Sequence, residues 1–330
     1  MLKKKIFKII LLGLGKNASK TLELLNKDRN IEVVYCIPRL LTKNKNIWFD
    51  SGILYSSAKK LGIKILKQKN VNDLGFSKLI KKNQIDLLIN IGHAELFKSH
   101  LINSVNFGIL NYHPGLLPHA RGSGAVVGEL INGQNTIGRT CHLVNEKFDL
   151  GSIIYQEKFR ISKKFNMSDV FDILEKNIDK FILKSVKKVL NKNKKQFHKL
   201  KEFGRYYPKF EPGDDYINWN DNSIDIYNKV RSRLQKRFST TYLKKDLKKI
   251  LIAEVEIPKK LYKYKSVNGQ VIDKSSNGIL VKTNDTAIWI KKIFNEKKKI
   301  FIVPNFKIGT CFQTINIADF LKCLIAIKKN

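Results

Sequence analysis

From Ile6 to about Glu157, short apolar runs alternate with segments whose apolar residues recur at helical spacing. Alternation of that kind predicts βαβ units and a doubly wound, mostly parallel sheet of the α/β class. The strands fall at Phe7 to Leu12, Glu32 to Ile37, Lys64 to Leu66, Leu87 to Ile91 and Gly108 to Tyr112. Helices are expected between them, over Ala18 to Asn26, Gly52 to Leu61, Gly75 to Asn83 and Lys98 to Ser104, each with one apolar stripe. Ala125 to Asn132 continues as a helix, and Arg139 to Leu143 and Ile153 to Phe159 read as two strands flanking a loop.

Met167 to Leu190 carries Val170, Ile173, Leu174, Ile178, Phe181, Ile182 and Val186 at helical spacing, and predicts one long helix capped near Ser168-Asp169. The pattern then dissolves into a Lys/Asn-rich run and the turns Tyr206-Tyr207-Pro208 and Glu211-Pro212-Gly213. Residues 1–190 are therefore expected as one domain, 191–213 as a linker and 214–330 as a second domain. Beyond a helix over Ile224 to Leu234, the second domain reads as short strands at Ile250 to Val255, Gly269 to Ile272, Gly278 to Lys282, Ala287 to Ile293 and Lys299 to Val303. Short strands of this kind close most naturally into a small β-barrel-like domain.

The formal charge of +35, from 63 Lys+Arg against 28 Asp+Glu, makes polyanions candidate partners. Lysine is abundant everywhere in the chain, so the charge serves composition and partner binding alike as an explanation. Four cysteines without paired spacing, Cys36, Cys141, Cys311 and Cys323, fit a reducing compartment. The apolar N-terminal stretch is interrupted by Lys8 and runs into Gly-Leu-Gly, so it reads as a buried strand. No stretch approaches the roughly 18 apolar residues of a membrane span, and a cytoplasmic protein is expected.

Gly13-Leu14-Gly15-Lys16-Asn17-Ala18 matches a dinucleotide-binding turn, but the acidic residue that would hold a ribose is replaced by Arg39 after the second strand. A tight strand-to-helix turn needs glycine for packing alone. The run Asn111-Tyr112-His113-Pro114-Gly115-Leu116-Leu117-Pro118 is more informative, because it leaves the carboxyl end of a strand, where open α/β sheets bind ligands. Asp149, in Phe148-Asp149-Leu150-Gly151, sits on a loop able to fold back over it. A carboxylate beside His113 favours the imidazolium. An amide, an imidazole and a carboxylate meet the needs of acyl transfer to an amine. His142 reads equally as a cleft residue or as a satisfied core or rim histidine. With no HxxH, HExxH or CxxC spacing, no metal site is expected.

These residues resemble the folate-dependent formyltransferases. NYHPGLLPHARG is similar to that family's N-x-H-P-S-L-L-P-x-x-R-G motif, and FDLGSII to its D-x-G loop at closely similar separation. Asp86 to Gly92 and Asp214 to Trp219, with the helix after it, resemble the family as well. The resemblance implies a two-domain enzyme using 10-formyltetrahydrofolate as co-substrate, with Asn111, His113 and Asp149 as the catalytic trio. It implies a folate pocket lined by Ile91, Gly92, Ala94, Leu96, Phe97, Gly115, Leu116, Leu117 and Pro118, and acceptor contacts from Arg121 and Arg39. The sequence departs from the motif at Gly115, where serine is usual, and at Ser123-Gly124-Ala125. Methionyl-tRNA is the acceptor favoured by the two-domain length and basic C-terminal half. An amino-sugar nucleotide is the alternative. Glycinamide ribonucleotide, suggested by Cys141-His142-Leu143, a nicotinamide oxidoreductase, and a nucleic-acid-binding protein without activity rank below.

Overall fold

A computed structural model describes residues 5–39, 51–68, 70–92, 95–191, 204–211, 213–233, 237–260 and 265–313. The elements in the N-terminal part are β1 (Phe7–Gly13), α1 (Gly15–Leu25), β2 (Ile31–Pro38), α2 (Ser51–Lys60), β3 (Lys64–Ile65), α3 (Leu74–Lys82), β4 (Leu87–Ile91), α4 (Ser99–Ile102) and β5 (Ile109–His113). They continue with β6 (Ala120–Arg121), α5 (Ala125–Ile131), β7 (Thr136–Leu143), β8 (Ile153–Arg160), α6 (Met167–Glu175), α7 (Ile178–Leu190) and β9 (Arg205–Tyr206). The main sheet has the order β3-β2-β1-β4-β5-β7-β8. β1 to β5 pair in parallel, and β7 joins β5 antiparallel, as β8 joins β7. A mostly parallel, doubly wound sheet is therefore present as expected.

Strand periodicity divides the side chains between two cores. Ile9 and Leu11 of β1, Leu87, Ile89 and Ile91 of β4, Leu110 of β5 and Cys141 of β7 face α1 and α7 residues such as Leu22 and Phe181. Ile10, Leu12, Leu88 and Ile109 face the other way, toward Phe76 and Ile80 of α3. By the same alternation Asn90, Asn111 and His142, each next to a residue of the first core, share the opposite face.

One long helix over Met167 to Leu190 is not what forms. It breaks into α6 and α7 at Asn177, which has φ 53° in the left-handed region that asparagine tolerates better than most residues. Arg139, 4% exposed, explains the break. Its Nη1 donates to the carbonyls of Leu174 and Lys176 at 2.7 and 2.8 Å, taking up acceptors freed at the end of α6. Its Nε and Nη2 donate to Glu157, and its guanidinium lies 4.5 Å from the Phe181 ring.

The C-terminal part holds α8 (Ser223–Arg231), β10 (Ser239–Leu243), β11 (Lys249–Glu256), β12 (Val271–Ser275), β13 (Gly278–Lys282), β14 (Ala287–Asn295), β15 (Ile300–Ile302) and β16 (Phe312–Gln313). Its antiparallel sheet runs β12-β13-β14-β11-β10-β16, and a bridge between Gln270 and Cys311 links its two ends in a barrel-like manner. Trp219 is fully buried there, stacked on Phe312 and donating from Nε1 to Thr241 Oγ1 at 3.0 Å. Contacts divide the chain into two compact units, Met1–Val126 with Thr136–Arg160 and Phe171–Pro208, and Val127–Asn135 with Ile161–Val170 and Lys209–Asn330. The second unit recruits its two early segments through Arg231, which donates to the carbonyls of Phe165 and Leu130. Among the described residues, no helix is long and apolar enough to cross a membrane.

Candidate active site

Strand register assembles the polar cluster. β4 and β5 pair Asn90 with Asn111, and β5 and β7 pair Asn111 with His142, so three polar side chains form one row across three strands. Asn90 Nδ2 donates to Asn111 Oδ1 at 2.7 Å, and Asn111 Nδ2 lies 3.0 Å from His142 Nε2. Two residues further along β5, His113 is only 5% exposed.

The next row holds the loop that follows His113. His113 pairs with Thr140, and Thr140 with Gln156. Thr140 Oγ1 donates to the Gly115 carbonyl at 2.6 Å and accepts from the Leu117 N–H at 3.3 Å, while Gln156 Nε2 donates to the Leu117 carbonyl at 2.9 Å. Ala120 O accepts from His113 Nε2 at 2.6 Å. A carbonyl only accepts, so Nε2 carries the proton and Nδ1 of the neutral ring is a lone pair. Gly115 packs against this pair. A Cβ there would lie 2.7 Å from both Ala120 O and His113 Nε2, and the glycine that departs from the family motif is what this close packing requires.

Asp149 closes over the cluster from the β7–β8 loop with φ 54°. Its Oδ2 lies 3.7 Å from His113 Nδ1 and accepts from the Gly122 N–H at 2.8 Å, and its Oδ1 lies 3.4 Å from His142 Nε2. Asn111, His113 and Asp149 therefore converge, and His142 joins them, in a role that the alternation of Cys141, His142 and Leu143 leaves open.

Charge in the cluster runs against the imidazolium expected at His113. Burial pushes the ring below its ordinary value, and this outweighs the upward pull of Asp149 and of the Ala120 hydrogen bond, with His142 adding a further lowering. His113 is thus neutral at neutral pH. Burial alone would raise the Asp149 carboxyl. The His142 hydrogen bond, the two imidazoles and the Gly122 N–H together hold it well below the usual carboxylate range.

The remaining expected residues are spread around this centre. Gly92 follows β4 with φ 88°, and its carbonyl accepts from Arg39 Nη1 at 3.1 Å, bringing Arg39 to the carboxyl edge of the sheet. Leu96 is 40% exposed, whereas Ile91 and Phe97 are buried in the two cores, and Leu116 and Leu117 are buried as well. Pro118 is half-buried, and Ala94 lies outside the described residues. Arg121 donates from Nη2 to the Gly204 carbonyl at 2.9 Å beside the Tyr206 ring, with its Nε buried and unpartnered. In the glycine turn after β1, a Cβ on Gly13 would lie 2.7 Å from Ile91 O, so close packing accounts for that glycine.

Comparison with known proteins places the chain in a family. Residues 7–186 match the formyl transferase family and residues 209–309 the formyl transferase C-terminal domain. A methionyl-tRNA formyltransferase of Finegoldia magna is 26% identical over 93% of this chain and 97% of its own length. The bifunctional polymyxin resistance protein ArnA of Wigglesworthia glossinidia brevipalpis is 29% identical over 64% of this chain and 33% of its own length. Among solved structures, an N-formyltransferase of Helicobacter canadensis in complex with folinic acid and dTDP-3-aminofucose shares the fold, with a TM-score of 0.62, 16% identity, and coverage of 87% of this chain and 99% of that one. The chain belongs to the formyl transferase family and is a folate-dependent formyltransferase.

Proposed function

We propose that the protein moves the formyl group of 10-formyltetrahydrofolate to the primary amine of methionyl-tRNA, with Asn111, His113 and Asp149 as its catalytic residues. The convergence of these three side chains at the carboxyl end of β5 is the observation that carries the reading. As the amine attacks the formyl carbon, negative charge develops on the formyl oxygen. Asn111 Nδ2 donates a hydrogen bond to it, an interaction worth about 3 kcal/mol in comparable sites. Neutral His113 takes the amine proton at Nδ1, and Asp149, facing that atom, stabilises the imidazolium so formed. The proton then passes to the folate nitrogen as its bond to the formyl carbon breaks. Asp149 is itself a weak base, because its carboxyl is held far below neutrality. Gly92, Leu96 and the Gly115 to Pro118 loop contact the folate, and Arg121 and Arg39 the acceptor. Folate and amine are the substrates of a cytoplasmic enzyme that needs no metal.

Methionyl-tRNA is supported by relatives that match over nearly their whole length and by the charge of +35, which favours a polyanionic acceptor. A second reading, an amino-sugar nucleotide, is favoured by the likeness to the Helicobacter enzyme and to a sugar 3N-formyltransferase of TM-score 0.63. Incubation with the formyl donor and each acceptor, read by mass spectrometry, separates them. Formylated methionyl-tRNA is expected, and a formylated sugar nucleotide with no formylated tRNA would overturn the choice of acceptor.

A further inference from the structure

Thr140 stands beside His113 in the β5–β7 register, and its side chain is fully buried. A hydroxyl has one proton and two lone pairs, and here all three are used. The proton goes to the Gly115 carbonyl at 2.6 Å, which only accepts. The lone pairs take the Leu117 N–H at 3.3 Å and one Nε2–H of Gln156 at 2.8 Å, which only donate. The second Nε2–H of Gln156 goes to the Leu117 carbonyl at 2.9 Å. Turning this amide over would set its oxygen against that carbonyl and against a hydroxyl whose proton is already given, so the two side chains fit together in one orientation.

The Gly115 carbonyl and both backbone groups of Leu117 are thereby fixed to β7 and β8. From Leu117 the constraint reaches His113 in two steps. Leu116 O accepts from the Ala120 N–H at 2.9 Å, and Ala120 O accepts from His113 Nε2 at 2.6 Å. The exit of the loop has its own anchor, since the Tyr207 N–H donates to Arg121 O at 2.8 Å.

We infer that Thr140 and Gln156 are positioning residues, a clamp of two uncharged side chains that holds the turn after β5 so that the Ala120 carbonyl keeps the His113 ring in place beside Asp149. The inference rests on the role proposed above for His113. The Thr140 hydroxyl proton and both amide protons of Gln156 are spent on the clamp, so the two residues act through the loop and not on substrate. Thr140→Val keeps the shape of the side chain and strips partners from Gly115 O, the Leu117 N–H and one N–H of Gln156 in a buried site. The turn shifts to recover partners and carries Ala120 O with it, while the separate anchor at Arg121 holds the exit of the loop.

A mutant cycle with His113 tests this, read as the single-turnover rate at saturating 10-formyltetrahydrofolate and acceptor. Thr140→Val is expected to slow transfer by about 10- to 100-fold, the scale of a displacement of about 1 Å at a catalytic group. Thr140→Ser returns the hydroxyl and is expected within about threefold of the parent. In a His113→Ala background, Thr140→Val is expected to cost less than about threefold, because the ring it positions is gone. A general loosening of the fold would instead multiply the loss by the same factor in both backgrounds, and that result would overturn the inference. So would a Thr140→Val rate within about threefold of the parent. If Thr140→Val does not fold, the same cycle with Gln156→Glu decides, since a carboxylate of the same length cannot donate to the Leu117 carbonyl. A near-parental rate in His113→Ala would overturn the role of His113 and the inference with it, whereas a slow His113→Ala with equal factors in both backgrounds overturns the inference alone.

Discussion

Gly151→Ala probes how tightly the Asp149 loop is seated. Gly151 follows Asp149 by two residues, and a Cβ built on it would lie 1.4 Å from the Leu143 carbonyl oxygen and 3.2 Å from His142 Nδ1. Ordinary contact begins at 3.4 Å, so the loop must retreat by about 2 Å, because Leu143 is held in β7 by its pairing with β5. The retreat breaks the hydrogen bond from Leu143 N–H to Ser152 O at 2.9 Å and strains its surroundings. Overpacking costs about 1 to 3 kcal/mol, and a lost hydrogen bond about 1 kcal/mol more. Asp149 lies within 3.7 Å of both imidazoles, a geometry that does not survive a shift of that size. Misplacement by about 1 Å at a catalytic centre costs on the order of 100-fold in rate. Gly151→Ala should therefore lower single-turnover formyl transfer by about 100-fold or more, and reduce stability by about 2 to 4 kcal/mol. A rate within about threefold of the parent, with an unchanged melting temperature, would refute the assignment of Asp149 to this centre.

Gly115→Ser restores the residue usual in the family motif, yet its Cβ would collide with Ala120 O and His113 Nε2. A loss of about tenfold or more in rate is expected, and a faster enzyme would contradict the packing argument. Trp219→Ala empties the centre of the C-terminal core and should cost about 3 to 5 kcal/mol, read as a lowered denaturation midpoint. Stability should also fall in acid in two steps. His113 has its folded value below 6.5, so the unfolded chain takes the proton first, and stability declines as pH falls from 6.5 toward the folded value. Asp149, held below 3.8, adds a second decline as pH drops past that value. Melting curves of His113→Gln should lack the first step and those of Asp149→Asn the second; a melting temperature that rises from about pH 7 to about pH 5 would reverse the sign.

The strands β1, β2, β4 and β5 were legible because apolar runs bounded by turns leave little choice of structure. Asn111, His113 and Asp149 stood out through the rigid Pro-Gly loop and the carboxyl end of a strand. The break at Asn177 was not legible, since the apolar spacing continues through it and its cause, the Arg139 guanidinium, is 35 residues from Leu174 in the chain. His142 was ambiguous for a related reason. Alternation along β7 sets its face, but its juxtaposition with Asn111 follows from the antiparallel register of β5 and β7, which local pattern does not encode. The charge of His113 is not legible in the sequence, because a neighbouring carboxylate can be read there, whereas the depth of burial that outweighs it emerges only from the fold.

Asp149→Asn is the most direct test of the centre, because it keeps the shape of the side chain and removes its charge. Single-turnover formyl transfer should fall by about 100- to 10,000-fold, while the affinity for the folate substrate, measured by fluorescence titration, stays within about threefold. Transfer at a near-parental rate with folate bound normally would contradict the claim that Asn111, His113 and Asp149 form the centre at which the formyl group moves.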